Sequence, residues 1–128
     1  MRILLDTQAF LWFITDDPKL SALARSLVEN PDNERLLSIA GLWEIAIKMS
    51  LGKLEFEKPF EELIPHQLEL NDVEVFAIEI AHLKKVAIIP FHHRDPFDRL
   101  IIAQSLVEQF SIVSIDTKFD DYGVERLW

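Results

Sequence analysis

The sequence has no cysteine, which excludes disulfides and thiolate metal sites and fits a reducing compartment. It is also poor in positive charge, with 13 Lys and Arg against 22 Asp and Glu and a formal net charge of −9. Such a balance argues against a nucleic-acid partner, which attracts basic surfaces. That objection weakens if several acids converge on a divalent cation, whose charge reverses the local sign. Long apolar runs are missing too. None approaches the roughly 20 residues that a membrane helix needs. Ile3-Leu4-Leu5 is cut off by Asp6 instead of growing into a secretory leader. The expectation is a cytoplasmic chain with no membrane partner. No repeat, low-complexity stretch or domain linker interrupts it. Its 128 residues, 49% hydrophobic, suit one domain over residues 1–128 with a real core.

Short apolar runs alternate with helical spacings along the chain. Arg2-Ile3-Leu4-Leu5 reads as a buried strand ending at Asp6, and Thr7 to Phe13 as a helix. Leu20, Leu23, Ala24, Leu27 and Val28 repeat with helical spacing, predicting a helix from Pro18 or Lys19 to Glu29. Arg35 to Ile39 is a second strand, followed by a helix through Leu42–Met49 that Gly52 ends. Phe60 to Leu70 is helical, with Pro65 kinking or restarting it. Val73 to Ile78 alternates like a strand, and Glu79 to Val86 is a short helix. A helix from Pro96 to Glu108 or Gln109 leads into a strand at Ile112–Ile115. Thr117 to Asp121 forms a turn or short helix, and Val124 to Trp128 a last strand. Alternation of this kind calls for a parallel sheet with helices on both faces, which binds ligands beyond the carboxyl ends of its strands.

Four acids then converge by topology. Asp6 and Asp116 each follow a strand, so they share one edge of a parallel sheet. Asp98 lies in the first turn of the helix that begins Asp95-Pro96, a start signal with an N-cap acid and a proline at the first helical position. That helix feeds the strand before Asp116, so it starts at the same edge. Glu44 sits among Trp43, Ile45, Ala46, Ile47 and Met49 in the helix after the second strand, where a carboxylate needs compensation. Oxygen-only donor sets of this kind suit Mg²⁺ or Mn²⁺. Such ions support hydrolysis at phosphodiesters.

Ordinary structural duties compete with this reading. Asp6, Asp95 and Asp116 could each only cap a helix, and Glu44 could only pair with Lys48 one turn on. Asp16-Asp17 and Asp120-Asp121 read as solvated turn residues, with Asp120 a minor candidate for a supporting role. His92 and His93 are adjacent, so their side chains diverge and they make a poor ligand pair. A loop position with at most a substrate contact is the better reading. Trp12, Trp43, Phe97 and Phe119 read as core. The joint placement of four acids is harder to dismiss than any one of them.

Four blocks carry a resemblance that runs essentially the whole chain, in order. They are Leu4-Leu5-Asp6-Thr7, Leu42-Trp43-Glu44-Ile45-Ala46-Ile47-Lys48, Arg94-Asp95-Pro96-Phe97-Asp98-Arg99-Leu100-Ile101-Ile102-Ala103-Gln104, and Ser114-Ile115-Asp116-Thr117-Lys118-Phe119. Together they resemble a PIN domain, and more closely the VapC-type toxins of bacterial type II toxin–antitoxin systems. The resemblance implies a three-layer α/β/α sandwich with a mostly parallel sheet of about five strands. It implies an Mg²⁺- or Mn²⁺-dependent ribonuclease that leaves a 5′-phosphate and a 3′-hydroxyl. It places the family's acidic quartet on Asp6, Glu44, Asp98 and Asp116, with Asp6, Asp98 and Asp116 as metal ligands and Glu44 a ligand or water-orienting group. Ser114 matches a polar position near the site. Gly41 departs from the small hydroxyl residue expected there. Arg94, Arg99, Lys48 and Lys118 lie near these acids in sequence and could hold RNA phosphates. A homodimer and an antitoxin that covers the acidic site are further implications.

Two other readings remain open. A receiver-like phosphoacceptor domain is also small, acidic and α/β, but it needs paired acids after the first strand, where only Asp6 stands. A binding-only or housekeeping PIN domain would share the fold without the toxin's role, and the intact quartet argues against loss of cutting.

Overall fold

Arg2–Leu5 forms β1, and Ile3, Leu4 and Leu5 are all fully buried. A strand that is apolar on both faces must be covered on both, and the computed structural model, which describes residues 1–128, meets that demand with two separate cores. Ile3 and Leu5 face a cluster with Phe10, Leu37, Ile45, Ile64 and Val113. Leu4 faces the other, with Leu36, Ile101, Ile102, Ile112 and Phe119. The period-2 alternation of the strand divides these residues between the layers.

The sheet holds five strands: β1, β2 (Glu34–Ser38), β3 (Val73–Phe76), β4 (Ser111–Val113) and β5 (Arg126–Leu127). Every pairing is parallel and the order is β3-β2-β1-β4-β5. Six helices accompany them: α1 (Thr7–Ile14), α2 (Ala22–Glu29), α3 (Ile39–Ser50), α4 (Phe60–Leu70), α5 (Ile80–Val86) and α6 (Pro96–Glu108). Helices α1 to α4 contribute to the first core, and α6 with a 3-10 helix at Thr117–Tyr122 contributes to the second. This is the three-layer α/β/α arrangement expected. None of the helices is long and apolar enough to cross a membrane.

Several boundaries move from their expected places, each for a local reason. Helix α2 starts at Ala22 because the Ser21 hydroxyl accepts from Ala24 N–H at 3.0 Å. Helix α3 starts earlier than expected, at Ile39, because Ser38 ends β2 and caps the helix at once, accepting from Ala40 N–H at 3.0 Å. With no loop between strand and helix, Glu44 is carried close to the sheet edge. Pro65 is absorbed within α4, whose ends are not displaced. Strand β4 stops at Val113 instead of Ile115. The buried Ser114 hydroxyl accepts from Asp116 N–H at 3.0 Å and turns the chain out of the ladder.

Helices α5 and α6 are tied by polar groups. The fully buried His82 accepts the Glu79 N–H on Nδ1 at 2.9 Å, and its Nε2 donates toward Glu108 Oε1 at 3.1 Å. Arg99 reaches back from α6 to the segment after α5. Its guanidinium donates to the carbonyls of Val86 (3.1 Å), Ile89 (3.2 Å) and Pro90 (2.8 Å) and lies 3.9 Å from the Phe91 ring centre. An arginine fork suits this because it offers several fixed donors at once.

Removing that fork leaves three carbonyls without a donor. Arg99→Met is therefore expected to lower stability by about 2–4 kcal/mol in urea denaturation. Arg99→Lys should recover less than half of that loss, since one ammonium cannot reproduce the spread of donors. Equal stability of Arg99→Met and the parent would contradict the assignment.

Candidate active site

Beyond the carboxyl ends of β1 and β4, where the chain's connections leave in opposite directions, the sheet opens a crevice. That is where doubly wound sheets bind ligands. A cleft of about 250 Å³ occupies it, lined by Asp6, Thr7, Gln8, Glu44, Lys48, Asp95, Asp98 and Asp116, with Leu11, Ile115 and Phe119 as its apolar wall.

Asp6 is fixed at the β1/β4 seam. Its N–H donates to Val113 carbonyl at 3.1 Å, and its Oδ1 accepts from Ala9 N–H at 2.6 Å as the N-cap of α1. The Ser114 hydroxyl also bonds its side chain. Asp116 caps the 3-10 helix by accepting from Lys118 N–H at 3.0 Å. Asp95 caps α6 by accepting from Phe97 and Asp98 N–H at 2.8 and 3.2 Å, which aims the carboxylate of Asp98, in the first turn, into the cleft. Glu44 is buried on α3 and pairs with Lys48 Nζ at 2.9 Å.

Capping and convergence therefore coexist: the same acids that start helices also face one another. Burial pushes Asp6 up to about 6, against the lowering pull of its hydrogen bonds from Ser114 and Ala9, with Asp116 and Glu44 adding repulsion. Asp98 is pushed up to about 7, first by desolvation and then by Asp95, Glu44, Asp6 and Asp116. All of these causes raise it. The Thr7 hydroxyl, buried at the same edge, has no hydrogen-bond partner. An oxygen-rich cleft with repelling carboxylates and an unpartnered hydroxyl fits a hard divalent cation with its waters.

All four expected acids come together, and Ser114 supports two of them. The basic candidates do not all follow. Arg99 points away, buried and saturated by backbone carbonyls. Lys48 lies at the rim on Glu44, while Arg94 and Lys118 are exposed. Asp120 pairs with Arg126 at 2.9 Å. Trp43, expected in the core, is 59% exposed and packs edge-on against Phe97 at 5.3 Å. Gly41 lacks the expected hydroxyl because space is short: a Cβ there would meet Thr7 Oγ1 at 3.0 Å and Leu37 Cδ1 at 3.4 Å.

The adjacent histidines diverge as expected, but one turns inward. His92 packs edge-on to Tyr122, whereas His93 Nε2 lies 3.1 Å from Asp116 Oδ2. The signal that could have shown this, a bond from His93 N–H to the Tyr122 hydroxyl at 2.6 Å, is a tertiary contact that sequence spacing does not carry. Thr7, Gln8 and Asp95 also line the cleft, a placement that depends on the tertiary fold and not on their spacing in sequence.

Comparison with known proteins gives the arrangement a setting. A family model described as PIN domain matches residues 3–125. A stretch of 69 residues is 35% identical to Ribonuclease VapC16 of Mycobacterium tuberculosis, covering 51% of this chain and about half (49%) of that relative's length. Among solved structures, VapBC2 from Rickettsia felis bound to a promoter DNA fragment aligns with a TM-score of 0.69 at 16% identity, over 99% of this chain and 98% of that one. VapBC-1 from nontypeable Haemophilus influenzae aligns with a TM-score of 0.67 at 15% identity, over 99% and 97%. FitAcB from Neisseria gonorrhoeae does so with a TM-score of 0.67 at 18% identity, over 98% and 96%. At these identities the structural likeness is one of fold.

The raised acids make metal-free stability depend on pH. Both hold protons more tightly when folded than when unfolded, where the ordinary value is 3.8. Their contribution is complete below that value and is lost as pH rises through about 6 and about 7. The metal-free protein should thus lose thermal stability from about pH 4 to pH 7, and Mg²⁺ should restore it at the upper end. Asp98→Asn should flatten that profile and gain roughly 1–2 kcal/mol at about pH 8, the figure being reduced for the partial exposure of the site. A parent profile that is flat across this range would contradict the prediction.

Proposed function

This chain belongs to the PIN domain family, and from that premise we propose that it is an Mg²⁺- or Mn²⁺-dependent endoribonuclease acting as the toxin of a type II toxin–antitoxin pair. The observation that carries the proposal is the meeting of Asp6, Glu44, Asp98 and Asp116, from four remote parts of the chain, in one cleft at the switch point of the sheet. The ribonuclease name of the Mycobacterium tuberculosis relative and a structural neighbour that is a toxin–antitoxin complex from Klebsiella pneumoniae support it.

In this reading Asp6, Asp98 and Asp116 hold the ion, and Glu44 holds it or orients a water. When bound, the ion polarises water and neutralises charge developing on the phosphoryl group. The protein's own groups prepare the site. The Ser114 hydroxyl and Ala9 N–H keep Asp6 in place, and Asp95 keeps the α6 terminus turned toward the cleft. The exposed Arg94 and Lys118, with Lys48 half-exposed but paired to Glu44, are the cations that would meet RNA phosphates at the rim. Arg99 keeps a framework role. The antitoxin would cover the acidic cleft with a basic side chain, the working form would be a homodimer, and the compartment the cytoplasm. Residues 1–128 would form a single PIN domain.

Purified protein incubated with RNA in Mg²⁺, Mn²⁺ or EDTA tests the proposal. Cleavage should need the metal and fall at least about 100-fold in Asp6→Asn and Asp98→Asn. Growth arrest on expression should be relieved by the same substitutions. Cleavage in EDTA, or full activity in both variants, would overturn the site assignment.

A further inference from the structure

The His93 side chain is only 10% exposed, yet its Nε2 makes no hydrogen bond. It lies beside Asp98 and Asp116 of the acidic cleft, edge-on to Phe119 at 5.3 Å and stacked on Tyr122 at 6.3 Å. Its backbone N–H is fastened to the Tyr122 hydroxyl. The ring is therefore held by the 3-10 helix that Asp116 begins. The Nε2 stands 3.1 Å from Asp116 Oδ2, but the oxygen lies off the direction of a ring N–H. One donor atom each from His93, Asp98 and Asp116 falls within 4.8 Å of the others.

A ring nitrogen and a carboxylate oxygen this close are held by a shared proton, which would make the contact an ion pair, or by a cation between them. The geometry is not that of a hydrogen bond. It suits a cation: adjacent ligands of an octahedral ion with bonds of about 2.1 Å are separated by about 3.0 Å. An unsatisfied nitrogen buried against two carboxylates also needs an explanation of its own.

We propose that His93 is a direct ligand of the divalent cation, through Nε2 and alongside Asp98 and Asp116. Nothing in the sequence comparison assigns this residue a role. The inference rests on the cation-site reading above and deepens it. Imidazole nitrogen is a better donor to Mn²⁺ than to Mg²⁺, which prefers oxygen and water. The mixed donor set thus tilts this centre toward Mn²⁺. His92 takes no part: it is exposed and packs edge-on to Tyr122.

Metal binding, measured without RNA, tests this. Titration calorimetry with Mn²⁺ and with Mg²⁺ should be run on the parent and on His93→Phe, which keeps the ring between Phe119 and Tyr122 but removes the nitrogen. His93→Phe should lose at least about tenfold in Mn²⁺ affinity and less than about threefold in Mg²⁺ affinity. Unchanged Mn²⁺ affinity, or equal losses for both ions, would overturn the proposal. Should that variant fold poorly, pulsed electron paramagnetic resonance on Mn²⁺-loaded parent protein gives a second answer. It should show coupling to a ring nitrogen that persists in His92→Gln. Mn²⁺ bound without nitrogen coupling, or coupling lost in His92→Gln, would overturn the histidine ligand while leaving the carboxylate site standing. Absence of any Mn²⁺ binding would overturn both.

Discussion

Carboxylates crowded at one sheet edge with too little positive charge to answer them are the constraint on which this structure turns. Asp98 has no donor or counter-ion of its own, and its neighbours Asp95, Glu44, Asp6 and Asp116 all oppose its ionisation. A fold under no functional demand would scatter such groups or pair them. Here one lysine stands beside one acid and the rest are left to repel. A cation bound among them would relieve that repulsion, and with one in place an overall charge of −9 would not argue against an RNA substrate.

The remainder of the molecule can be understood as the means of holding that edge. Strand β1 lies at the centre, buried on both faces, so Asp6 at its end cannot drift. The immediate passage from β2 into α3 through Ser38 brings Glu44 to the same edge without a loop. The bonds of Arg99 to the Val86–Pro90 carbonyls fasten the segment that leads to His93 and Asp95. Caps do double duty throughout: the hydrogen bonds that start α1 and the 3-10 helix fix the orientation of the carboxylates that face the cleft.

Much of this was legible in the residues. Short apolar runs ending in acids, alternating with helical spacings, imply a parallel sheet with its acids at one edge. Asp95-Pro96 marks the start of α6, and with it the place of Asp98. What was not legible depends on contacts between remote residues. Trp43 lies on a helix apolar on nearly every side, so periodicity could not say which face was outward. Arg99 looked like a phosphate contact because it is near Asp98 in sequence, but its guanidinium is committed to carbonyls before α6. The end of β4 depended on the Ser114 hydroxyl turning inward, and the inward turn of His93 depended on Tyr122, 29 residues away.

The central claim is electrostatic: in the metal-free protein, buried acids of the cleft hold their protons close to neutral pH. Side-chain carboxyl ¹³C shifts of Asp6 and Asp98, followed by NMR across a pH titration of metal-free protein, measure this directly. The account predicts midpoints of about 6 for Asp6 and about 7 for Asp98, with both carboxyls ionised at neutral pH once Mg²⁺ is added. Midpoints near the ordinary 3.8 for both residues, unchanged by Mg²⁺, would contradict it.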